Sequence, residues 1–210
     1  MRDDGFAAAV RALAESVGQS DAEAQDFIAA FPLETCFREL SGPDVSASLM
    51  EDAAAALAKV FGTSYGASLL PSILPLAAAA LQSPSVPLRR LAVQQLGRLV
   101  AAQEEPPPAC LDLLMAALQD PEVGVTSAAE AALRQLGRPQ AGAQALLPQL
   151  LRREHPWGGA LAALAACHDP LLRMRALTLL VALAAASPAA AAAVRRSGLL
   201  EPLLAELEDP

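Results

Sequence analysis

The residues best suited to chemistry stand side by side. Cys167-His168-Asp169 puts a thiol, an imidazole and a carboxylate in consecutive positions. These are the groups of a nucleophile, its base and the residue that orients the base. Their adjacency argues against that role, because neighbouring side chains point in different directions while catalytic triads converge from separate segments. Cys167 also falls, at a spacing of 40 residues, on Leu207, a core position of the pattern described below. A buried cysteine behaves as a small apolar residue. His155, Cys36 and Cys110 add no CxxC or comparably close ligand spacing, so no metal site and no cofactor site is expected. No catalytic residue is assigned, and the expectation is a protein that is not an enzyme. Three cysteines without an evident pairing and no N-terminal signal region fit a reducing compartment, and the expected location is the cytoplasm and also the nucleus.

What remains is binding chemistry. Trp157, in the stretch "HPWGG", is the only tryptophan. It is either an anchor for a partner, since aromatic residues dominate interface hot spots, or a plug over a lengthened loop, the commoner use of a large aromatic. Arg152-Arg153 and Arg195-Arg196 would grip an acidic partner, although cations near helix C-termini also compensate the helix dipole. Nucleic acid is a poor partner for a chain of net charge −8 and pI about 4.7 with no basic stripe. The charge-free stretch 176–194 is long enough to span a bilayer, but Ser187-Pro188 interrupts it and its later half is mostly alanine, so no membrane segment is expected.

The elements that position these residues follow from composition and period. The chain is 54% hydrophobic but only 3% aromatic, with alanine runs at 53–56, 77–80 and 189–193. Alanine has the highest helix propensity and lets helices approach closely, and runs rich in β-branched residues are nearly absent. Similar tetrapeptides end on Pro43, Pro84, Pro121, Pro170 and Pro210, at intervals of 41, 37, 49 and 40 residues. A recurrence near forty is the period of armadillo and HEAT arrays. The expectation is therefore an all-α, armadillo/HEAT-like right-handed α-solenoid with no sheet. Residues 1–210 would form one array of four to five repeats, with turns near 43, 84, 121, 170 and 210.

Within a period the apolar spacing predicts a helix, a shorter helix and a third helix. Leu88, Leu91, Ala92, Leu96 and Leu99 share one face after Pro84, with Arg89, Arg90, Gln94, Gln95 and Arg98 elsewhere. Residues 175–186 are apolar around nearly the whole circumference, which predicts a helix buried on all sides. Ser187-Pro188 restarts the chain, Arg195-Arg196-Ser197-Gly198 ends the next helix, and Leu199 to Leu207 are expected to form the third. At the other end Phe6, Val10, Leu13 and Val17 have helical spacing, and a second helix begins at Asp21. "EEPPP" at 104–108 reads as an inter-helix loop. The final "LEDP" reads as the opening turn of a further repeat. On that expectation this is the N-terminal portion of a longer array, and as a fragment it self-associates through an exposed C-terminal helix.

The glycine followed by aliphatics at Gly198-Leu199-Leu200 resembles the opening of an armadillo third helix. More narrowly, "LRMRALTLLVALAAASP" leading into "RRSGLLEPLLAELEDP", together with "PLRRLAVQQLGRLV" and "VGVTSAAEAALRQLGRPQAGAQALL", resembles the proteasome assembly chaperone family known as non-ATPase regulatory subunit 5 of the 26S proteasome, over roughly residues 30–210. Members of that family run well beyond this length. The resemblance implies a scaffold that holds ATPase subunits of the proteasome regulatory particle base during assembly. A generic armadillo/HEAT adaptor for another protein is the alternative. On armadillo geometry the third helices line the binding face. Aligning them puts Pro75, Asp112, Leu161 and Glu201 at one level and Ala79, Ala116, Ala165 and Ala205 at another. The partner-binding candidates are thus Asp112, Arg152, Arg153, Trp157, Arg195, Arg196 and Glu201.

Overall fold

Short polar side chains open several of the helices. In a computed structural model that describes residues 4–16, 20–42, 44–102, 107–135, 147–152, 154 and 156–201, every described element is helical or a turn, and no strand occurs among these residues. The chain divides into two compact units at residues 102/103, inside the segment that surrounds "EEPPP".

The first unit holds α1 (Asp4–Glu15), α2 (Asp21–Ala30), α3 (Leu33–Leu40), α4 (Ala47–Phe61), α5 (Ser64–Ser68), α6 (Leu70–Leu81) and α7 (Val86–Ala102). The Ser20 hydroxyl accepts from Glu23 N at 3.1 Å, in the S-x-x-E arrangement that satisfies the free amides of a first turn. Ser46 caps α4 through Leu49 N, and Thr63 caps α5 through Gly66 N. The turn before α7 is tied by Arg89, whose Nη1 donates to the carbonyls of Ser83 at 2.9 Å and Pro84 at 3.3 Å. Two sequence periods here are three-helix units, α1–α2–α3 and α4–α5–α6. Like helices stack on like: α1 on α4 on α7, α2 on α5, and α3 on α6. Three rows of corresponding helices are what repeat stacking produces, because no repeat can bury its apolar face alone. Leu40, Leu57, Phe61, Ile73, Leu88, Leu91, Leu96 and Leu99 are fully buried between them.

The second unit holds α8 (Pro108–Ala117), α9 (Val123–Arg134), a helical stretch at 147–151, α10 (Pro156–Ala165), α11 (Pro170–Ala186) and α12 (Pro188–Ser197). Its rows are α9 with α11 and α8 with α10, and α11 also packs against α10 and α12. The Asp-Pro signature has a local cause. Asp169 Oδ1 accepts from Leu171 N at 2.8 Å and Leu172 N at 3.4 Å, and Pro170 fills the first turn, where its missing N–H costs nothing. Ser187-Pro188 repeats this arrangement at the head of α12. Gly198 ends α12 with φ 67°, a left-handed conformation in which glycine carries no Cβ penalty.

Four expectations are corrected. The period between Pro84 and Pro121 shows two helices among its described residues, not three. Pro106-Pro107-Pro108 withholds three successive amide donors, so α7 runs for 17 residues and the next helix is already α8. Helix α11 is not buried on all sides: Leu171, Met174 and Val181 are 67%, 61% and 55% exposed, since α9, α10 and α12 cover only part of its surface. Gln95 is fully buried, because α7 packs on α4 and its Nε2 donates to Ala54 O at 3.4 Å. Leu199 and Leu200 lie in a turn, and helix resumes only at Glu201, because the left-handed Gly198 redirects the chain first. Leu203, Leu204, Leu207 and the "LEDP" tetrapeptide fall outside the described residues, as do Val17 and Pro43.

Candidate protein-interaction surfaces

The third helices present one candidate face in each unit. In the first, Pro75 and Ala79 of α6 are exposed, one helical turn apart. In the second, Asp112 and Ala116 of α8 are exposed at the matching spacing. The register expected for α10 is wrong by one residue. Leu161 and Ala165 are buried, at 0% and 1% exposure, and the positions that follow them, Ala162 and Ala166, are half-buried and exposed. One residue turns a helix by about 100°, enough to exchange an inward for an outward position. The 49-residue interval therefore carries its extra length with a phase shift into α10. Glu201 is exposed, and Ala205 lies outside the described residues.

A second surface brings together residues far apart in the chain. Pro148, Leu151 and Arg152, at the end of the helical stretch 147–151, face Ala193, Arg196 and Ser197 of α12 across an open groove of ≈ 270 Å³. Of the lining residues Leu151 is buried, and both arginines are exposed. Arg196 Nε donates to Ala192 O at 3.1 Å, one turn back on its own helix, which directs the guanidinium along α12. Ser197 Oγ donates to Val194 O and accepts from Leu199 N, so the groove's end is tied to the left-handed turn at Gly198. Sequence reasoning singled out Arg152 and Arg196 but missed Pro148, Leu151 and Ala193. Only the relative phase of two helical segments joins these five, and no local signal carries that. Arg195 is exposed beside the groove rather than lining it. Arg153 is outside the described residues. Trp157 lies within α10, and its side chain is likewise outside the description.

The cysteines sit in three separate environments. Cys36 is buried and donates Sγ–H to Phe31 O at 3.2 Å, and burial pushes its thiol from the ordinary 9.0 up to about 12. Cys110 is buried too, and the same cause raises it to about 11. Cys167 is half-buried rather than at a core position, with Sγ 3.4 Å from the carbonyl oxygen of Asp169. The Asp169 carboxylate is engaged by backbone amides at the head of α11, and His168 is exposed. Cys167 reaches less depth than the equivalent Leu118, 3% exposed, because α10 has turned away from that register. Among the described residues no group of three or more His, Cys, Asp or Glu is placed to hold a metal ion, and no helix is long and apolar enough to cross a membrane.

Stacked rows of corresponding helices, with no strand among the described residues, define an all-α, armadillo-like repeat fold. Two solved structures agree with this class along almost the whole chain. One is a computationally designed armadillo repeat protein for modular peptide recognition, with 20% identity and a TM-score of 0.54 over 96% of this chain and 85% of that one. The other is an engineered protein from the Northeast Structural Genomics Consortium, with 19% identity and a TM-score of 0.54 over 97% of this chain and 83% of that one. No protein-family model matches the sequence, and no curated protein matches it.

Proposed function

We propose that this chain is a protein-binding helical-repeat scaffold. The observation that carries the reading is the exposed third-helix face, where Pro75 and Ala79 in one unit and Asp112 and Ala116 in the other leave short side chains toward solvent. Small residues on a helix face admit a partner's backbone closely, and repeat stacking makes such positions recur. The designed neighbour built for modular peptide recognition supports the same use of the fold. The reading assigns no catalytic step to Cys167, His168 or Asp169. Cys167→Ala and His168→Ala are accordingly expected to bind partners as the parent does.

The finer reading, which rests on the sequence resemblance, is an assembly chaperone that holds ATPase subunits of the 26S proteasome base. Affinity purification of the tagged protein from cells tests it. Enrichment of proteasomal ATPases that is lost in an Ala116→Arg variant supports the chaperone. Absence of the ATPases removes the finer reading and leaves an adaptor for another protein.

A further inference from the structure

We propose that the groove between residues 147–152 and α12 is a docking site for acidic peptide segments in which an aliphatic side chain lies next to carboxylates. The inference goes beyond the scaffold reading, which rests on the third helices, and concerns a different surface.

Size limits the occupant first. At ≈ 270 Å³ the groove lies below the roughly 300–1,000 Å³ of pockets that enclose small-molecule ligands. It suits a side chain or two from an extended segment. Its floor chooses their type: Pro148, Leu151 and Ala193 offer carbon surface, so the inserted group is aliphatic. The rim chooses the neighbours. Arg152 and Arg196 reach it from different segments, and neither takes part in the ion pairs that join Arg11 to Asp52, Arg38 to Glu39 and Arg134 to Glu130. A planar guanidinium pairs with a carboxylate through two parallel N–H donors, a geometry that an ammonium lacks.

Dipole compensation alone does not account for the arrangement. Arg195 and Arg196 both lie in the last turn of α12, yet only Arg196 lines the groove, which a cation from another segment also lines. Two cations that line one groove repel each other, and an anion seated beside both relieves that repulsion. In a chain of net charge −8 such a pair is a local exception to the protein's own field, and it complements a partner segment bearing carboxylates.

The test is fluorescence anisotropy on the full chain with a fluorescein-labelled peptide, GSEDLEDLGS. Saturable binding is expected, weakened when the carboxylates become amides (GSQNLQNLGS) and when the leucines become serines (GSEDSEDSGS). Arg152→Gln and Arg196→Gln should each weaken binding about two- to fivefold, the range for exposed ion pairs. The exposed double variant Arg152→Glu/Arg196→Glu should abolish it with the circular dichroism spectrum and Tm preserved. Ala193→Phe, which fills the groove, should do the same. Ala116→Arg on the third-helix face should leave peptide binding unchanged, which separates this site from the scaffold surface. No saturable binding by the parent overturns the proposal. So does binding that survives the double reversal, or equal binding of the serine peptide, which would reduce the effect to general electrostatic attraction.

Discussion

Replacing Gly66 with alanine sets two opposed terms against each other, and the structure decides their sum. Gly66 lies in α5, and a Cβ added there would stand 1.9 Å from Val60 O, 2.6 Å from Val60 C and 2.8 Å from Phe61 Cα. These are backbone atoms at the end of α4, so no side-chain rotation relieves the clash. The approach is also clamped: Thr63 Oγ1 donates to Val60 O at 2.7 Å and accepts from Gly66 N at 2.9 Å. Overpacking costs about 1–3 kcal/mol, and rigid backbone puts this site near the upper end. Alanine offsets about 1 kcal/mol of that through its higher helix propensity. The net expectation is a loss of about 2 kcal/mol. For a chain of this size that lowers Tm by about 4–8 °C. Gly62 supplies the control: it is exposed, with φ −80°, so alanine there brings no backbone strain and should raise stability by about 0.4–1 kcal/mol. Scanning calorimetry on the two variants and the parent reads both signs. A Gly66→Ala protein that melts at or above the parent would refute the close-approach argument.

Lys59, the only lysine, donates Nζ to Ala14 O at 2.8 Å and to Ser16 O and Oγ, closing the C-terminal end of α1 from α4. Lys59→Met should cost about 1–2 kcal/mol and speed amide exchange in α1 relative to α4; unchanged protection of α1 contradicts the cap. A thiol reagent such as DTNB should titrate Cys167 in the folded protein and reach Cys36 and Cys110 only on unfolding; three equal rates would contradict the burial. Because the Cys36 thiol is raised from 9.0 to about 12, its contribution is intact below pH 9 and is lost as pH rises through 12, so alkaline melts should steepen there and Cys36→Ser should flatten that dependence. On α11, Leu179→Ala should cost about 2–5 kcal/mol, while Val181→Lys should stay within about 0.5 kcal/mol of the parent; a large loss at Val181 would restore the helix buried on all sides.

Turn chemistry was the most legible layer of this sequence. Ser20, Asp169 and Ser187-Pro188 act within two or three residues of themselves, so their meaning does not depend on the rest of the fold. The three-helix rhythm was legible for the same reason, except where three prolines removed a helix. Phase was harder. Counting from the Asp-Pro turn places Leu161 and Ala165 outward, but the register of α10 is shifted by one position, and counting cannot detect a rotation. Gln95 looked like a surface residue because its type is polar, yet the stacking of α7 on α4 encloses it. Helix α11 shows the converse: its apolar circumference says what the helix tolerates, not how many neighbours it has. The arginine groove was half legible. The charges stood out in the sequence, but the apolar floor between them exists only because two segments more than forty residues apart meet.

The period that lacks a short helix has a consequence for how such chains change length. It still contributes α7 to the first row of one unit and α8 to the third row of the other, so neither row is broken by the omission. The middle element of each repeat is therefore the expendable one. In the 37-residue interval the outer two helices, α7 and α8, each keep a corresponding neighbour without a described helix between them. A duplicated or shortened repeat would be expected to differ from its parent first in that middle segment, making it the position where the array diversifies without losing its stacking.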